Sequence, residues 1–557
     1  MGIKGKELVC KILQAENVRY IFGNPGSTEI PLLDHLWNYP DIKYVLCLHE
    51  SVAVSMADGY ARASGMPGVV SVHATPGTAH SMGALFNAYT DNVPLVVVAG
   101  QQDSRMLIRE PFLSADLARL TKPFTKWSWQ VSRGEELAVA VRRAFKESTA
   151  APCGPVFLSI SRNVLDEVVE DEVVPPEKYR VPQRVRGDLD EITKAAEILL
   201  EAENPVIIAG VGVASSGGVP ELLKLAEVIG ARVYAEPCSF PTDHSLFAGP
   251  VEVRTIGQIA QGSDVLMVVG SPMFTEFSYS PTPSVPPGTK TIHMDISSWE
   301  VAKNYPVDAA IVADPKVGLK ELVHAVQSLL DAKRFDAIDE RKTTIAKASQ
   351  ERAESLKKLL DEGSKSEFVR GSRLAVGLQE VLDENAIIVE QGIRSATYLK
   401  RYFHFRKPGT YYAERGGSLG WGIAAAMGVK LAQPDRQVVA FVGDGCTMYY
   451  PQALWTAAQE NIPIVVILLN NCGYLALKSL TMGYGGESLR QKKFIGADIG
   501  GIDYVKMAES FGVSAVRVKE ESKLKSALQE AVSANRPVLV EVMTDPNDAG
   551  FGLPRVP

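Results

Sequence analysis

Cysteine is scarce in this chain, six in 557 residues, and Cys10, Cys47, Cys153, Cys238, Cys446 and Cys472 form no CxxC pair and no cluster with the eight histidines. Such spacing argues against a disulfide framework and a zinc-finger-like site, and marks most of the six as small buried hydrophobes. Long apolar runs are missing as well. No stretch reaches the roughly 18 uninterrupted apolar residues that a membrane-spanning helix requires. The start, MGIKGKELVCKILQ, reads as an amphipathic helix rather than a secretory signal. There is no basic block, and the formal net charge is −7 with a pI near 5.8. Neither nucleic acid nor an anionic membrane is therefore expected as the main partner. What is left is ordinary globular material, 46% hydrophobic and 22% charged, long enough for about three domains and expected to be cytoplasmic.

Within that material one stretch stands out, VGDGCTMYYPQALWTAAQENIPIVVILLNNCGY, from Val442 to Tyr474. An apolar run, Val438 to Val442, stops at Gly443-Asp444-Gly445. A helical stretch to about Glu460 follows, and a second apolar run, Pro463 to Leu469, ends at Asn470-Asn471. Strand, helix and strand of this length make a βαβ unit with both strands buried and parallel. Asp444 and Asn471, 27 positions apart, then emerge at the same carboxyl edge, where open α/β sheets bind ligands. One carboxylate and one amide oxygen, among glycines that admit a phosphate, suit a Mg²⁺ that keeps waters and shares a ligand's phosphates. Taken singly, Asp-Gly is a turn and Asn-Asn a helix cap; the pair at this spacing is the informative feature.

The amino-terminal part alternates helix and strand. Tyr20-Ile21-Phe22 leads to Gly23-Asn24-Pro25-Gly26-Ser27, Tyr44 to Leu48 ends at His49-Glu50, Val69 to Val72 ends at His73, and Pro94 to Ala99 closes at Gly100. Ser27, Glu50 and His73 are expected together at the carboxyl edge of one parallel sheet. Each has a structural explanation alone, a carboxylate favoured by a helix dipole among them; three polar groups on one edge suggest a site. A strand at Val156 to Ile160 follows, then a charged, proline-rich stretch, Asp166 to Arg186, that reads as a linker.

A second α/β unit has strands at Val206 to Ala209, Ala231 to Ala235, Val265 to Val269, Thr291 to Met294 and Ala310 to Val312. Its Gly210-Val211-Gly212 loop is not GxGxxG and has no placed acidic residue, so a dinucleotide site is not expected. Flavin is likewise not expected, although the sequence leaves flavin and CoA open. A charged helical tract, Asp331 to Lys365, reads as a solvated connector. The third unit opens near Ser372 and includes Glu390-Gln391-Gly392-Ile393-Arg394 and a glycine-rich run, Gly416 to Gly420, ahead of WGIAAAMGVKLA. The expected fold class is α/β, three doubly wound parallel-sheet domains. Their bounds are 1–170, 187–332 and 366–557, with 333–365 a helical linker.

The GDG and NN pair, with IFGNPGSTE, HESVAVSMADGYARASG, HATPGTAHSMGAL, LGWGIAAAMG and ALWTAAQENIP, resembles the thiamine diphosphate-dependent decarboxylase and acetohydroxyacid synthase superfamily, and within it the benzoylformate decarboxylases. The likeness spans essentially the whole chain and implies a pyrimidine-binding, a middle and a diphosphate-binding domain. On this resemblance Asp444, Asn471 and the Gly473 carbonyl hold Mg²⁺ or Ca²⁺. Gly392, Arg394, Gly443, Cys446, Thr447 and Tyr474 surround the diphosphate, with the Thr447 hydroxyl among the groups that meet it. Gly417 offers a carbonyl to the aminopyrimidine, and Leu419 is the wedge beneath the coenzyme. Glu50 reaches the pyrimidine N1′ from a neighbouring subunit, which implies self-association, with a homotetramer expected. Ser27 contacts substrate, and His73 shuttles protons.

Some positions depart from that pattern. Phe277 stands where the benzoylformate decarboxylases carry a second histidine, and a phenyl ring relays no proton. Phe277, Ser27, Leu477 and Leu480 are the candidate substrate-pocket residues, with Ala413 and Glu414 nearby. The expected activity is decarboxylation of a 2-oxo acid with carboligase activity. The alternatives are an acetolactate synthase-like or 2-hydroxyacyl-CoA lyase-like enzyme and, in another class, a nucleotide-binding or non-catalytic α/β protein. The expected partner is a small 2-oxo acid or aldehyde.

Overall fold

The computed structural model describes residues 2–170, 172–251, 256–276, 279–362 and 367–556. Three six-stranded sheets carry the chain. They divide between two compact units, one formed by Met1–Val181, Ser366–Thr397 and Tyr412–Pro557, the other by Pro182–Lys365 and Tyr398–Tyr411. Among the described residues no helix is long and apolar enough to cross a membrane.

The first unit holds two of the sheets. In one, the spatial order is Lys43–Leu46, Tyr20–Gly23, Gly68–His73, Leu95–Gln101, Pro155–Ser161 and Trp127–Val131, every neighbour parallel. Strands such as Leu95–Gln101, nearly all buried, are apolar runs because helices cover both faces. In the other, Tyr411–Ala413 lies at the edge, followed by Ile387–Gln391, Val438–Gly443, Val465–Asn470, Val538–Met543 and Ser514–Val518. The last five run parallel. Val439 pairs with Val465 and Gly443 with Leu469, so the ends of both apolar runs of the central stretch stand side by side, as their lengths suggest.

One correction concerns the segment between those runs. The helix expected to reach Glu460 is broken into a turn, Asp444–Thr447, and a helix, Ala453–Gln459. Pro451 separates them: its ring disfavours a helical Tyr450 and it has no amide to donate. The edge strand Trp127–Val131 was not expected from the sequence.

A single hydrophobic core joins the two sheets of this unit, containing Phe22, Val45 and Val70 from one side and Trp421, Val442 and Leu468 from the other. At its centre the Glu50–Ser64 helix packs on the Trp421–Ala432 helix. The contact is backbone on backbone. A Cβ on Gly59 would overlap the Ala425 carbonyl, and one on Gly428 would overlap that of Met56. Polar groups border the crossing. Trp421 Nε1 donates to Asp58 at 3.0 Å, Arg62 pairs with Asp58 at 2.6 Å and with Asp91 at 2.8 Å, and Arg415 pairs with Asp91 at 2.6 Å.

The second unit is built on the parallel order Phe247–Pro250, Arg232–Ala235, Pro205–Ala209, Val265–Val269, Lys290–Asp295 and Ala309–Val312. Its glycine-rich loop serves packing. Cβ atoms on Gly210 and Gly212 would collide with Ser271 and Gly270, and the Val211 amide that opens the next helix donates to Glu236 at 2.6 Å. The charged helix Phe335–Asp361 buries Ile338 and Ile345, and Arg341 and Arg352 donate to the carbonyls of Ala202, Ile229 and Phe247. Phe277 lies outside the described residues.

The helix crossing predicts a contrast between two glycines. Gly428→Ala should lower unfolding stability by about 1–3 kcal/mol or more, because only backbone can move out of the way. Gly483→Ala, in a helix with nothing within 4 Å of the added methyl, should change stability by no more than about 1 kcal/mol and in the stabilising direction. Urea unfolding of the two variants checks the pair.

Candidate active site

The residues at the carboxyl edges of the first unit's two sheets form three connected groups. The first surrounds Asp444. Its side chain is 2% exposed, and Oδ1 accepts from the Gly445 amide at 2.8 Å. Oδ2 accepts from the amides of Asn471 and Gly473, both at 3.2 Å. Burial pushes its carboxyl up to about 6 despite those amides. Beside it, the Asn471 Oδ1 is buried without a hydrogen-bond partner among the described residues. A buried acceptor left open next to a carboxylate fits a cation, and the donor set is all oxygen, as Mg²⁺ prefers. Asn470, the first of the pair, is structural: Nδ2 donates to Glu541 at 2.7 Å and Oδ1 accepts from the Cys472 amide at 2.9 Å.

Around this group the sequence-expected residues fall as follows. Tyr474 packs directly over Gly445, where a Cβ would stand 2.6 Å from its ring. Cys446 and Thr447 are buried in the turn that starts at Asp444. The Thr447 hydroxyl donates to the Gly443 carbonyl at 3.0 Å, so the contact expected from that hydroxyl to a diphosphate is not on offer in this conformation. Gly392 follows the adjacent strand, its amide donating to Glu390 at 2.5 Å, and Arg394 is half-buried two residues on. Leu477, exposed, and Leu480, half-buried, lie three positions apart on the Leu475–Tyr484 helix and so share a face.

The second group is a loop held from two sides. Gly417 (φ 81°) and Gly420 (φ 94°) adopt left-handed conformations that favour glycine, with Leu419 between them. Gln391 Oε1 accepts from the amides of Gly420 and Gly422, each at 3.1 Å, and its Nε2 reaches Glu414 and the Ser418 carbonyl at 3.3 Å. Asn87 brackets Ser418 with two bonds of 2.9 Å. Glu414 accepts from the Gly417 amide at 2.5 Å, and burial pushes its carboxyl up to about 7.

The third group is organised by the 24–29 loop. Glu50 opens the Glu50–Ser64 helix and is 6% exposed. Its Oε1 accepts from Asn24 Nδ2 at 3.2 Å, and Oε2 faces His80 Nδ1 at 3.1 Å. At the other end of the loop Glu29, also buried, faces His73 Nδ1 at 2.9 Å and accepts from the Gly26 and Gly100 amides at 2.9 and 2.8 Å. Thr28 Oγ1 donates to Glu29 at 2.7 Å and lies 3.1 Å from His73 Nδ1. A ring nitrogen facing two acceptors is best satisfied carrying the proton, which leaves the Nε2 lone pair of His73 uncommitted to Glu29 or Thr28. Gly26 lies against the His73 ring, with Ser27, exposed, beside it.

Sequence reasoning thus named Glu50, His73 and Ser27 but missed Asn24, Glu29, His80 and Gln391, the residues that hold them and the Gly417 loop. A signal existed for two of these. Glu29 belongs to the same short GSTE turn as Ser27, and His80 follows His73 by seven positions, two helical turns.

Comparison with known proteins shows the family to which the fold belongs. Models described as thiamine pyrophosphate enzyme N-terminal TPP binding domain, central domain and C-terminal TPP binding domain match residues 3–117, 192–322 and 394–542. The chain is 32% identical to a benzoylformate decarboxylase of Pseudomonas aeruginosa, over 96% of this chain and 97% of that protein. It is 33% identical to a probable acetolactate synthase large subunit of Methanocaldococcus jannaschii, over 100% of this chain and 94% of that one. Among solved structures it is similar to a thiamine diphosphate-dependent 4-hydroxybenzoylformate decarboxylase of Rhodococcus jostii RHA1, with TM-score 0.86 and 30% identity, covering 98% and 99% of the two chains.

Glu414 carries a pH prediction. Its folded carboxyl keeps a proton up to about 7, whereas an unperturbed glutamate loses it near 4.5. The folded state therefore binds the extra proton, and the stability this contributes is present below about 4.5 and lost as pH rises through 7. Thermal unfolding from pH 5 to 8 should show Glu414→Gln gaining on the wild type as pH rises. A gap that stays constant would contradict the assignment.

Proposed function

We propose, from the premise that this chain belongs to the thiamine pyrophosphate enzyme family, that it uses thiamine diphosphate and Mg²⁺ to decarboxylate a 2-oxo acid, with carboligase activity on the same site. The observation that carries the reading is the Asp444 group, a buried carboxylate beside an open amide oxygen at the edge of a parallel sheet. Asp444, Asn471 Oδ1 and the Gly473 carbonyl would hold the ion, and Tyr474 would close over the phosphates. When bound, the coenzyme supplies the nucleophilic carbon and the electron sink for breaking the bond beside the substrate carbonyl.

The chain's own residues supply position and protons. Glu50, held by Asn24 and His80, would hold and release a proton at its carboxyl where the coenzyme's pyrimidine would lie. The Gly417 carbonyl would accept from the coenzyme's amino group, on a loop held by Gln391, Glu414 and Asn87. His73, oriented by Glu29, moves protons at Nε2 near the carbonyl being attacked, and Ser27 contacts the substrate carboxylate. Leu477 and Leu480, on one face of the Leu475–Tyr484 helix, would line the apolar side of the substrate pocket.

The names of two relatives, benzoylformate decarboxylase and 4-hydroxybenzoylformate decarboxylase, support an aryl 2-oxo acid as the first substrate to test. A second reading, an acetolactate synthase-like carboligase, is favoured by the 33% identity to a protein of that name and by the phenyl ring at position 277. The bounds 1–170, 187–332 and 366–557, self-association as a homotetramer with Glu50 serving a neighbour's coenzyme, and a cytoplasmic location belong to the same proposal.

Three measurements test it. Protein loaded with thiamine diphosphate and Mg²⁺ and given benzoylformate should release benzaldehyde; pyruvate giving only a condensed product would favour the carboligase reading. Glu50→Gln should lower kcat by about 10²–10⁴-fold, the usual worth of a general acid or base, and full turnover at saturating coenzyme would remove Glu50 from its role. Glu29→Gln should lower kcat more than it raises KM, since it loosens His73 without touching the substrate.

A further inference from the structure

The strand Val538–Met543 reads VLVEVM, and within it Glu541 is 0% exposed. A buried ion pair seldom stabilises a fold more than apolar side chains of the same volume would, so packing alone does not call for a carboxylate there. Its partners stand on both sides. Arg517, its register partner on the Ser514–Val518 strand, donates from Nε to Oε2 at 2.6 Å. On the Val465–Asn470 strand the register partner is Leu468, and Asn470, two residues on and so on the same face, donates from Nδ2 to Oε1 at 2.7 Å. Arg517, Glu541 and Asn470 thus form one polar ladder across three strands of a single chain, and it ends at the edge where Asp444 and Asn471 stand.

At that edge the ladder meets the backbone. Asn470 Oδ1 accepts from the Cys472 amide at 2.9 Å. Cys472 has φ 59°, a left-handed conformation that is costly for a residue with a Cβ and needs holding in place. On either side of it the amides of Asn471 and Gly473 converge on Asp444 Oδ2, each at 3.2 Å. A second arm leaves Arg517. Its Nη2 donates to Asp503 at 2.7 Å, and Asp503 caps the Tyr504–Ser510 helix by accepting from the Lys506 amide at 3.3 Å. The hydroxyl of the buried Tyr504 then donates to the Asp444 carbonyl at 3.3 Å. Both sides of the Asp444 group are therefore referred to one guanidinium.

We propose that Glu541 is a positioning residue for the divalent cation, acting through Asn470 and the turn at Cys472 on Asn471 Oδ1 and the Gly473 carbonyl, with Arg517 steadying it from behind. The inference rests on the reading of Asp444, Asn471 and Gly473 as the cation's ligands. Both Glu541 oxygens are committed, one to Arg517 and one to Asn470, so its part is to orient and not to ligate. Asn471 and Gly473 flank one residue, and they reach the same ion only while the turn between them keeps its shape. Loss of a partner that orients metal ligands in this way typically weakens binding about 10–100-fold.

The test uses the full chain with saturating thiamine diphosphate, titrated with Mn²⁺ as the probe ion and read by the electron paramagnetic resonance of the free ion. Glu541→Met, close in volume and leaving Arg517 paired with Asp503, should weaken Mn²⁺ binding about 10-fold or more, and so should Asn470→Ala. Glu541→Gln, with an acceptor for only one of the two donors, should weaken it about 3-fold or more, and carries the test if the methionine variant does not fold. In the double variant of Glu541→Gln with Asn470→Ala the loss should match that of Asn470→Ala alone, because both act on one path; independent losses would multiply. Val540→Ala, buried next to Glu541 on the opposite face of the strand, should lower the unfolding midpoint and leave Mn²⁺ affinity within about 3-fold of wild type. Wild-type affinity in the Glu541 variants, losses that multiply, or an equal loss in Val540→Ala would overturn the proposal. Wild-type affinity in Asp444→Asn would instead overturn the reading of the cation site, so the two failures are separable.

Discussion

Two glycines set the geometry on which the site depends. Gly59 and Gly428 let the Glu50–Ser64 and Trp421–Ala432 helices meet backbone to backbone, with no room for a Cβ on either. The first helix begins at Glu50, and the second begins directly after the loop that carries Gly417 and Leu419. A contact this close leaves little freedom to slide, because close-packed interiors resist even a methylene of change. The crossing therefore fixes the helix that begins at Glu50 and the loop that carries Gly417 relative to each other within one chain. Asn87, donating and accepting at Ser418, ties the same loop to the first sheet a second time.

On this frame the polar groups are connected by short segments. The 24–29 loop holds Glu50 through Asn24 at one end and His73 through Glu29 at the other, so a single six-residue stretch spaces a buried carboxylate and an imidazole. Across the core, Gln391 and Glu414 do the same for the glycine loop. Buried networks of this kind are rigid when every member is satisfied. Asn471 Oδ1, beside Asp444, has no hydrogen-bond partner among the described residues, and a buried acceptor left open next to a carboxylate fits a cation.

Much of this was legible in the sequence because it is local. Strand ends, the Asp-Gly turn and the Asn-Asn pair are read from periodicity and spacing, and the parallel pairing of Gly443 with Leu469 follows from the βαβ rule. The resemblance of whole phrases then assigned roles to Glu50, Asp444 and Asn471. What stayed hidden were partners distant in sequence but adjacent in space. Nothing in the spacing connects Gln391 to Gly420 or His80 to Glu50, since those contacts depend on how helices pack. The break at Pro451 was visible as a proline and was passed over because the apolar pattern continued on both sides. The Thr447 hydroxyl, assigned to a phosphate by analogy, donates locally to the Gly443 carbonyl in this structure.

The central claim is that one cavity holds a divalent ion under the coenzyme's phosphates and an acid against its pyrimidine. A crystal structure of the protein grown with thiamine diphosphate and Mg²⁺ tests this most directly. The account predicts an ion bound by Asp444, Asn471 Oδ1 and the Gly473 carbonyl of one chain, with the Glu50 carboxyl of a neighbouring chain against N1′. An ion held by other residues, or a coenzyme whose pyrimidine lies away from Glu50, would contradict it.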